Sequence, residues 1–249
     1  MSPAPESQSY SDPQLVGIER VLVTCAHPDD VDFGAAGTVA RWTAAGVEVT
    51  YCFVTDGEAG GLEDEPDRAR VARMRRSEQT RAAGEVGVET LEFLAYRDGR
   101  VEPSLALRRD LTRVIRTYRP DRILTQSPER RWDRIDPGHP DHLATGEATV
   151  CAVYPDARNP FAFPELLEEG LEPWSVRELW MSTHPSASDV IDVSDAVDRK
   201  LAALMCHASQ HQDPVATEGR VRGWMAATAQ ARGLGEGRYA EAYTVVVTS

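Results

Sequence analysis

Long apolar runs and an excess of basic residues are both absent from this chain of 249 residues. No window approaches the roughly 18 to 20 apolar residues of a membrane span. Residues 1–13 lack the apolar core of a signal peptide. The chain has 40 acidic and 27 basic residues, a formal net charge of −13. Because nucleic acids and anionic membranes are bound through basic surfaces, neither is an expected partner, and we predict a cytoplasmic protein.

Cysteine is scarce, with four residues that are far apart and include no pair at CxxC spacing. This scarcity argues against a disulfide framework and against a cysteine-based metal site. We therefore expect buried free thiols at Cys25, Cys52, Cys151 and Cys206.

Strand-like and helix-like segments alternate along the chain, which predicts an α/β fold with a mostly parallel sheet and helices on both faces. No repeat or linker divides the sequence, so we assign residues 17–249 to a single domain and residues 1–16 to a flexible lead-in. An acidic surface loop is expected from Glu63 to Asp67. Strands are predicted at residues 21–26, 47–54, 90–94, 122–126, 179–183, 190–193 and 243–248. Helices are predicted at residues 33–44, 68–84, 105–118, 141–153, 196–211 and 218–231.

Two clusters of histidine and aspartate each follow a predicted strand. The first is Ala26-His27-Pro28-Asp29-Asp30, and the second is Gly138-His139-Pro140-Asp141-His142. Ligands of open α/β sheets bind at the carboxyl ends of the strands. Either cluster alone is compatible with an ordinary turn or helix start. Two clusters of nearly the same pattern, each at a strand end, predict one shared metal site.

The spacing of these residues indicates a hydrolytic metal centre. His27 and Asp30 can face one point from the turn after the strand, and His142 can add a third ligand. Two histidines and one aspartate leave room for water on zinc, as in catalytic sites. Such an ion lowers the pKa of its bound water to about 7 and polarises a carbonyl oxygen.

The remaining members of the clusters have the chemistry of proton transfer. Asp29 is the predicted general base beside the metal. His139 is predicted to face the substrate, where it stabilises the oxyanion or protonates the leaving amine. Asp141 is expected to orient that imidazole and to favour its charged form.

These clusters, together with the loop Thr55-Asp56-Gly57-Glu58-Ala59-Gly60, resemble the PIG-L/LmbE-like zinc N-deacetylases over roughly residues 20–212. The resemblance implies a Rossmann-like fold and hydrolysis of the N-acetyl group, or a related amide, of a small N-acetylglucosamine-type conjugate. It implies a bound Zn²⁺, which Fe²⁺ or another divalent ion can replace. It also implies the site residues: His27, Asp30 and His142 as ligands, Asp29 as base, and His139 supported by Asp141 as acid or oxyanion stabiliser.

The resemblance has two departures and adds two substrate candidates. Val31 stands where the family usually has a Glu beside the metal, and Pro137 stands where some members have a Tyr. Arg75 resembles a family arginine that touches substrate, although a solvated helix face also explains it. Asp98 matches a family loop near the sugar, although an ordinary turn also explains it. His207 is assigned to packing or capping.

Several interpretations stay open at this point. The chain can be an amidase that cleaves a larger amide, such as a thiol-cofactor conjugate, or a metal-binding protein with weakened catalysis. A two-metal phosphoesterase is a further class, but it needs additional bridging ligands. Residues 155–175 are expected to form a long loop that walls the substrate pocket. Formation of a homo-oligomer is left open.

Overall fold

One mixed sheet organises the computed structural model, which describes residues 13–61 and 67–248. The strand order is β3-β2-β1-β4-β5-β7-β6. The first five strands in this order are parallel, β7 is antiparallel to β5, and β6 is antiparallel to β7. This arrangement confirms the predicted α/β class. The strands are β1 (Arg20–Cys25), β2 (Glu48–Thr55), β3 (Thr90–Tyr96), β4 (Arg122–Gln126), β5 (Glu178–Ser182), β6 (Asp189–Asp192) and β7 (Ala240–Val247).

Helices cover both faces of the sheet, and an apolar core lies beneath each layer. One core contains residues of α1, α2, α3, α7 and α8, and the other contains residues of α4 and α5. The helices are α1 (Asp30–Gly34), α2 (Ala36–Ala44), α3 (Arg68–Glu85), α4 (Leu105–Tyr118), α5 (Pro140–Cys151), α6 (Pro164–Glu168), α7 (Val197–Met205) and α8 (Pro214–Ala231). No helix in the described ranges is both long enough and apolar enough to cross a membrane.

Side-chain caps define where several helices begin. The Ser104 hydroxyl accepts a hydrogen bond from the Leu107 N–H at the start of α4, at 3.2 Å. Asp67 and Asp213 accept equivalent bonds at the starts of α3 and α8. These bonds satisfy N–H groups that have no partner within the helix.

The helix predicted at residues 33–44 is two helices, α1 and α2, which are separated at Ala35. The polar start of α1 has no apolar periodicity, so the sequence pattern missed it. Gly37 lets α2 approach the end of the sheet closely, because a Cβ there would stand 2.9 Å from the Cβ of Val193. The predicted helix at 196–211 ends at Met205 and is followed by a short 3₁₀ turn, Ala208–Gln210.

Three other expectations concern the lead-in, the acidic loop and the cysteines. Residues 1–12 of the predicted lead-in lie outside the described residues, and Pro13–Leu15 form a 3₁₀ turn. All of the predicted acidic loop except Asp67 also lies outside them. The four cysteines are free thiols, but only Cys25 and Cys52 are buried. Cys151 and Cys206 are partly exposed, which corrects the expectation of four buried thiols.

Candidate metal centre

The two predicted clusters meet at the carboxyl ends of β1 and β4, which are neighbours in the sheet. From these strands the chain proceeds in opposite directions, through β2 and β3 on one side and to β5 on the other. Such a reversal of strand order opens a crevice in which α/β proteins bind ligands. The loop after β1 supplies the first cluster, and the start of α5 supplies the second.

Asp30 connects the two clusters. Its Oδ2 accepts a hydrogen bond from the His27 N–H at 2.7 Å and lies 3.4 Å from His27 Nδ1. Its Oδ1 lies 3.0 Å from His142 Nε2. The His27 and His142 ring centroids are 5.2 Å apart. The structure thus brings the three sequence-predicted ligands side by side.

The other nitrogen of each imidazole is held by the protein. His27 Nε2 lies 3.1 Å from Asp98 Oδ1 and 3.2 Å from Asp141 Oδ2. His142 Nδ1 lies 3.3 Å from the Pro137 carbonyl oxygen. An acceptor on one ring nitrogen places the proton there and leaves the other nitrogen free for a metal. This arrangement therefore directs His27 Nδ1 and His142 Nε2 toward Asp30.

The electrostatics favour a positive charge at this point. Burial opposes protonation of His27, but the Asp30 carboxylate and hydrogen bonds to Asp141, Asp30 and Asp98 raise its pKa to about 12. Burial likewise opposes ionisation of Asp30, but His142 and His27 hold its pKa well below its usual range. Against its own burial, the Asp98 carboxyl has a pKa of about 2 because of His27. Three carboxylates around one imidazole suit a divalent cation, and the nitrogen and oxygen donors fit zinc or iron.

Two further groups have ligand atoms that all lie within 4.8 Å of one another. One contains His27, His139 and His142, and the other contains His27, Asp98 and Asp141. Both include His27, so the described cluster is one centre with alternative donors. Asp98, predicted as a substrate contact, lies against His27 through its Oδ1, and its Oδ2 accepts a hydrogen bond from the Ala59 N–H at 2.8 Å.

Asp29 differs from Asp30 because of its backbone. It has φ of 87°, a left-handed conformation that aspartate tolerates better than most residues, and it precedes α1. Its N–H donates to Gln79 Oε1 at 2.8 Å, and its Oδ2 lies 3.0 Å from Arg75 Nη2. Burial raises the pKa of Asp29 to about 6, against the opposing Arg75 guanidinium.

Arg75 is a buried residue that reaches across the site, with 4% of its surface exposed. Beyond Asp29, its guanidinium donates to the Pro28 carbonyl at 2.6 Å and to the Gly57 carbonyl at 3.0 Å. A Cβ at Gly57 would stand 2.4 Å from Arg75 Nη1. Arg75, the predicted substrate residue, therefore holds the carboxylate of Asp29, the predicted base.

His139 and Asp141 differ in part from expectation. Burial, together with His27 and His142, lowers the pKa of His139, so the net effect favours its neutral form, although the Asp141 carboxylate itself favours the charged imidazole as predicted. The Asp141 carboxylate does not orient His139. It accepts from the Gly99 N–H at 2.7 Å and the Val101 N–H at 3.2 Å, in addition to its contact with His27. Only the Asp141 backbone N–H reaches His139, donating to Nδ1 at 3.2 Å.

A buried network beneath the site was missed in the sequence. The Asp32 side chain is fully buried, and its Oδ2 accepts from Gln79 Nε2 at 3.0 Å and lies 2.8 Å from His207 Nε2. His207 was assigned to packing or capping, and the structure pairs it with this carboxylate. The contact spans 175 residues, so no local pattern signals it. Val31, at the usual glutamate position, packs in the apolar core.

A cavity of about 360 Å³ opens over the cluster. Residues 155–175 do not line it, contrary to expectation. That segment packs instead on α4, where the buried Arg116 guanidinium donates to the carbonyls of Asp156, Ala157 and Asn159. The cavity is lined by His27, Asp29, Ala59, Gly60, Arg75, Asp98, Gly99, His139, His142 and Gln210.

Several known proteins with similar sequences are named as deacetylases. The chain is 30% identical to a diacetylchitobiose deacetylase of Thermococcus kodakarensis over 198 residues, which covers 80% of this chain and 72% of that protein. It is also 30% identical to a probable N-acetyl-alpha-D-glucosaminyl L-malate deacetylase 2 of Bacillus anthracis, over 77% of this chain and 81% of that protein.

Solved structures agree with this relationship. The N,N'-diacetylchitobiose deacetylase of Pyrococcus horikoshii, solved with its inhibitor MPG, superposes with a TM-score of 0.87 at 28% identity. The match covers 95% of this chain and 87% of that one. A 4-carboxy-2-hydroxymuconate hydratase of Pseudomonas putida shares the fold, with a TM-score of 0.76 at 21% identity.

A family model confirms the resemblance seen in the motifs. The model described as PIG-L, GlcNAc-PI de-N-acetylase, matches residues 22–153, which include both histidine and aspartate clusters. The matched part contains most of β1 and all of β2, β3, β4 and α5, the elements that position the site. The chain therefore belongs to the PIG-L family.

Proposed function

We propose that this protein is a zinc-dependent N-deacetylase that removes the acetyl group from a small N-acetylglucosamine-type conjugate. The observation that carries the proposal is the position of Asp30 between His27 and His142, two histidines that line one cavity together with Asp29. Deacetylases named for such conjugates are among the relatives of this chain, which supports the same class of substrate.

The metal would be held by His27, Asp30 and His142. Asp141 and Asp98 would keep the His27 ring in place through its Nε2, as carboxylates commonly do for histidine ligands. When bound, the ion polarises the amide carbonyl and makes water a stronger nucleophile.

Asp29 would take the proton of the attacking water. The Arg75 guanidinium keeps this carboxylate at the cavity wall, and the Gln79 amide fixes the backbone beneath it. With two charged groups of opposite sign in contact, the base keeps one orientation while the substrate enters.

His139 would act on the other side of the scissile bond. Because its Nδ1 accepts the Asp141 N–H, the neutral ring has its proton on Nε2. That N–H can donate a hydrogen bond to the developing oxyanion, while the proton that Asp29 takes from the water is available for the leaving amine. With Pro137 at the position of the family tyrosine, His139 is the side chain assigned to this role.

Amine release from a panel of N-acetylglucosamine conjugates tests the proposal. The zinc-loaded wild type should release a primary amine, and Asp29→Asn should lower kcat by about 10² to 10⁴-fold while keeping its zinc. Asp56→Asn is a matched control, because Asp56 is held by Arg76 and does not line the cavity.

Each outcome has a clear meaning. Full activity in Asp29→Asn would contradict the assignment of the base. Release only from larger amides would favour the amidase alternative, and zinc binding without any turnover would favour the binding-protein alternative. Two ions per chain would favour a phosphoesterase.

A further inference from the structure

A second cavity of about 500 Å³ lies beside the metal centre. Asp30 and His142 form part of its wall, and His142 also lines the first cavity. The two cavities therefore adjoin each other at His142, one of the proposed ligands. This adjacency places the second cavity near a substituent of any substrate whose amide lies at the metal.

Basic side chains distinguish this second cavity. Arg131 and Arg134 come from the loop after β4, and Arg220 comes from α8. Among the described residues that line it, Asp30 is the only acidic one. The chain as a whole is strongly acidic, with a net charge of −13, so three guanidinium groups around one cavity are contrary to its general charge.

Two of these guanidinium groups are available to a ligand. Arg131 is bound to Asp133. Among the side chains that the structure describes, Arg134 and Arg220 have no carboxylate oxygen at ion-pair distance. Arg220 donates one hydrogen bond, to the Thr217 hydroxyl at 3.1 Å. The other N–H groups of Arg220 and those of Arg134 make no hydrogen bond to the described residues, so they can bind an anion.

The Trp224 ring contacts the guanidinium groups of both Arg134 and Arg220. Trp224 is 40% exposed, and the guanidinium carbons of Arg134 and Arg220 lie 5.0 Å and 5.9 Å from the centre of its ring. A guanidinium over an aromatic face directs its N–H groups sideways, where they can donate in pairs to a carboxylate or a phosphate. Phe33 adds an apolar wall to the same cavity.

The first cavity differs from the second because its lining includes two aspartates and its one arginine is already paired. The aspartates are Asp29 and Asp98, and the arginine, Arg75, is bound to Asp29. Carboxylates suit the hydroxyl groups of a sugar, whereas they repel an anion. The two cavities thus separate the binding of a sugar from the binding of a charged group.

We propose that the second cavity binds an anionic substituent on the aglycone of the substrate, with Arg134 and Arg220 as its recognition residues. The ligand chemistry is a carboxylate or a phosphate joined to the amino sugar through a short linker. This inference rests on the proposed function, since it assigns specificity to the same site. Charge-assisted bonds from arginine account for the expected preference.

Matched glycosides of N-acetylglucosamine test the inference. One pair carries glycolate or its neutral amide as aglycone, and a second pair carries 2-phosphoethyl or 2-hydroxyethyl. We expect kcat/KM to be at least about tenfold higher for the charged member of at least one pair, with a ratio that falls as salt screens the charge. The pair that shows the preference identifies the anion as carboxylate or phosphate.

Substitution of the two arginines tests whether they cause the preference for the charged glycoside. Arg134→Gln with Arg220→Gln should bring the charged-to-neutral ratio close to one. Arg222→Gln is the matched control on the same helix, because Arg222 contacts Glu218 and Asp198 and does not line the cavity. The ratio should stay at the wild-type value in this control, and circular dichroism should show all variants folded.

Calorimetric binding of the same glycosides makes the test independent of turnover. Equal affinity and equal kcat/KM for charged and neutral members would overturn the inference and leave the deacetylase proposal intact. A preference that survives in the double variant would also overturn it. Arginine-dependent binding without amine release from any glycoside would overturn the proposed function and support anion binding in the second cavity.

Discussion

At the scale of single residues, two adjacent carboxylates acquire different roles from one backbone torsion. Asp29 has φ of 87°, whereas Asp30 is the first residue of α1. The left-handed residue turns the chain, so Asp29 meets Arg75 while Asp30 meets His142. Sequence spacing identified both residues, but the backbone conformation separates the proposed base from the proposed ligand.

Gly57→Ala tests how strongly the base depends on Arg75. Gly57 has φ of 65°, and a Cβ there would stand 2.6 Å from Arg75 Cζ. Such a contact must displace the buried guanidinium, in addition to the roughly 1–2 kcal/mol that a left-handed alanine costs. We expect lower stability in urea unfolding and at least a tenfold loss of kcat.

Gly46→Ala is the control for backbone strain. Gly46 has φ of 87°, a Cβ added to it would meet no atom within 4 Å, and it follows α2 away from the site. This variant should lose a similar 1–2 kcal/mol or so of stability to backbone strain, with kcat unchanged. Equal kcat in the two variants would show that displacement of Arg75 does not affect the base.

Local spacing predicted some site residues and not others. His27, Asp29 and Asp30 stand in one turn, and His139 and His142 open one helix, so their grouping is visible in the sequence. The contacts of Asp98 with His27 and of Asp32 with His207 join distant segments. Only the folded sheet brings such pairs together, and one sequence contains no signal for them.

At the scale of elements, a buried charged group joins α2 and α7 to β7. The Glu241 carboxylate accepts from the Thr38 N–H at 2.8 Å and from Lys200 Nζ at 2.6 Å. Lys200, the single lysine of the chain, is 1% exposed and also donates to the Phe33 carbonyl. Helices on the face that bears α1 are thereby fixed to the antiparallel end of the sheet.

Lys200→Met should destabilise the protein by about 3–5 kcal/mol, because it leaves the Glu241 carboxylate buried without its counter-charge. Urea unfolding followed by circular dichroism measures this loss. Lys200→Met combined with Glu241→Gln should be more stable than Lys200→Met alone, since the buried charge is then absent. A double variant that loses the sum of both single losses would indicate that the two groups act independently.

Element types were largely predictable, while element ends at the site were not. The predicted helix at 105–118 and strand at 122–126 coincide with α4 and β4, because apolar periodicity and Pro120 define them. The start of α1 was missed, since its residues serve the metal centre and the Asp32 network rather than an apolar stripe. At the start of α1, residues are polar because of the site, so the apolar periodicity from which helices are recognised is absent.

At the scale of the whole molecule, the net charge does not describe the charge found at each site. The chain has a net charge of −13, yet the second cavity is lined by three arginines and the metal centre gathers Asp30, Asp98 and Asp141 around His27. Net charge argues against a polyanionic partner, but it averages over sites that bind small ligands. The fold creates these local fields by bringing the ends of β1 and β4 together.

Metal binding should therefore stabilise the entire fold, because the proposed ligands come from both halves of the sheet. Zinc at a hundred times its Kd contributes about 2.7 kcal/mol by mass action. For a protein of this size each kcal/mol shifts Tm by roughly 2–4 °C, so we expect a rise of about 5–10 °C over chelator-treated protein in scanning calorimetry. Asp30→Asn should abolish most of that rise, since Asp30 contacts both histidines. Asp192→Asn, which alters a carboxylate bound to Ser194 and Arg238 at the far end of the sheet, should retain it. An equal rise in the two variants would place the bound zinc elsewhere in the molecule.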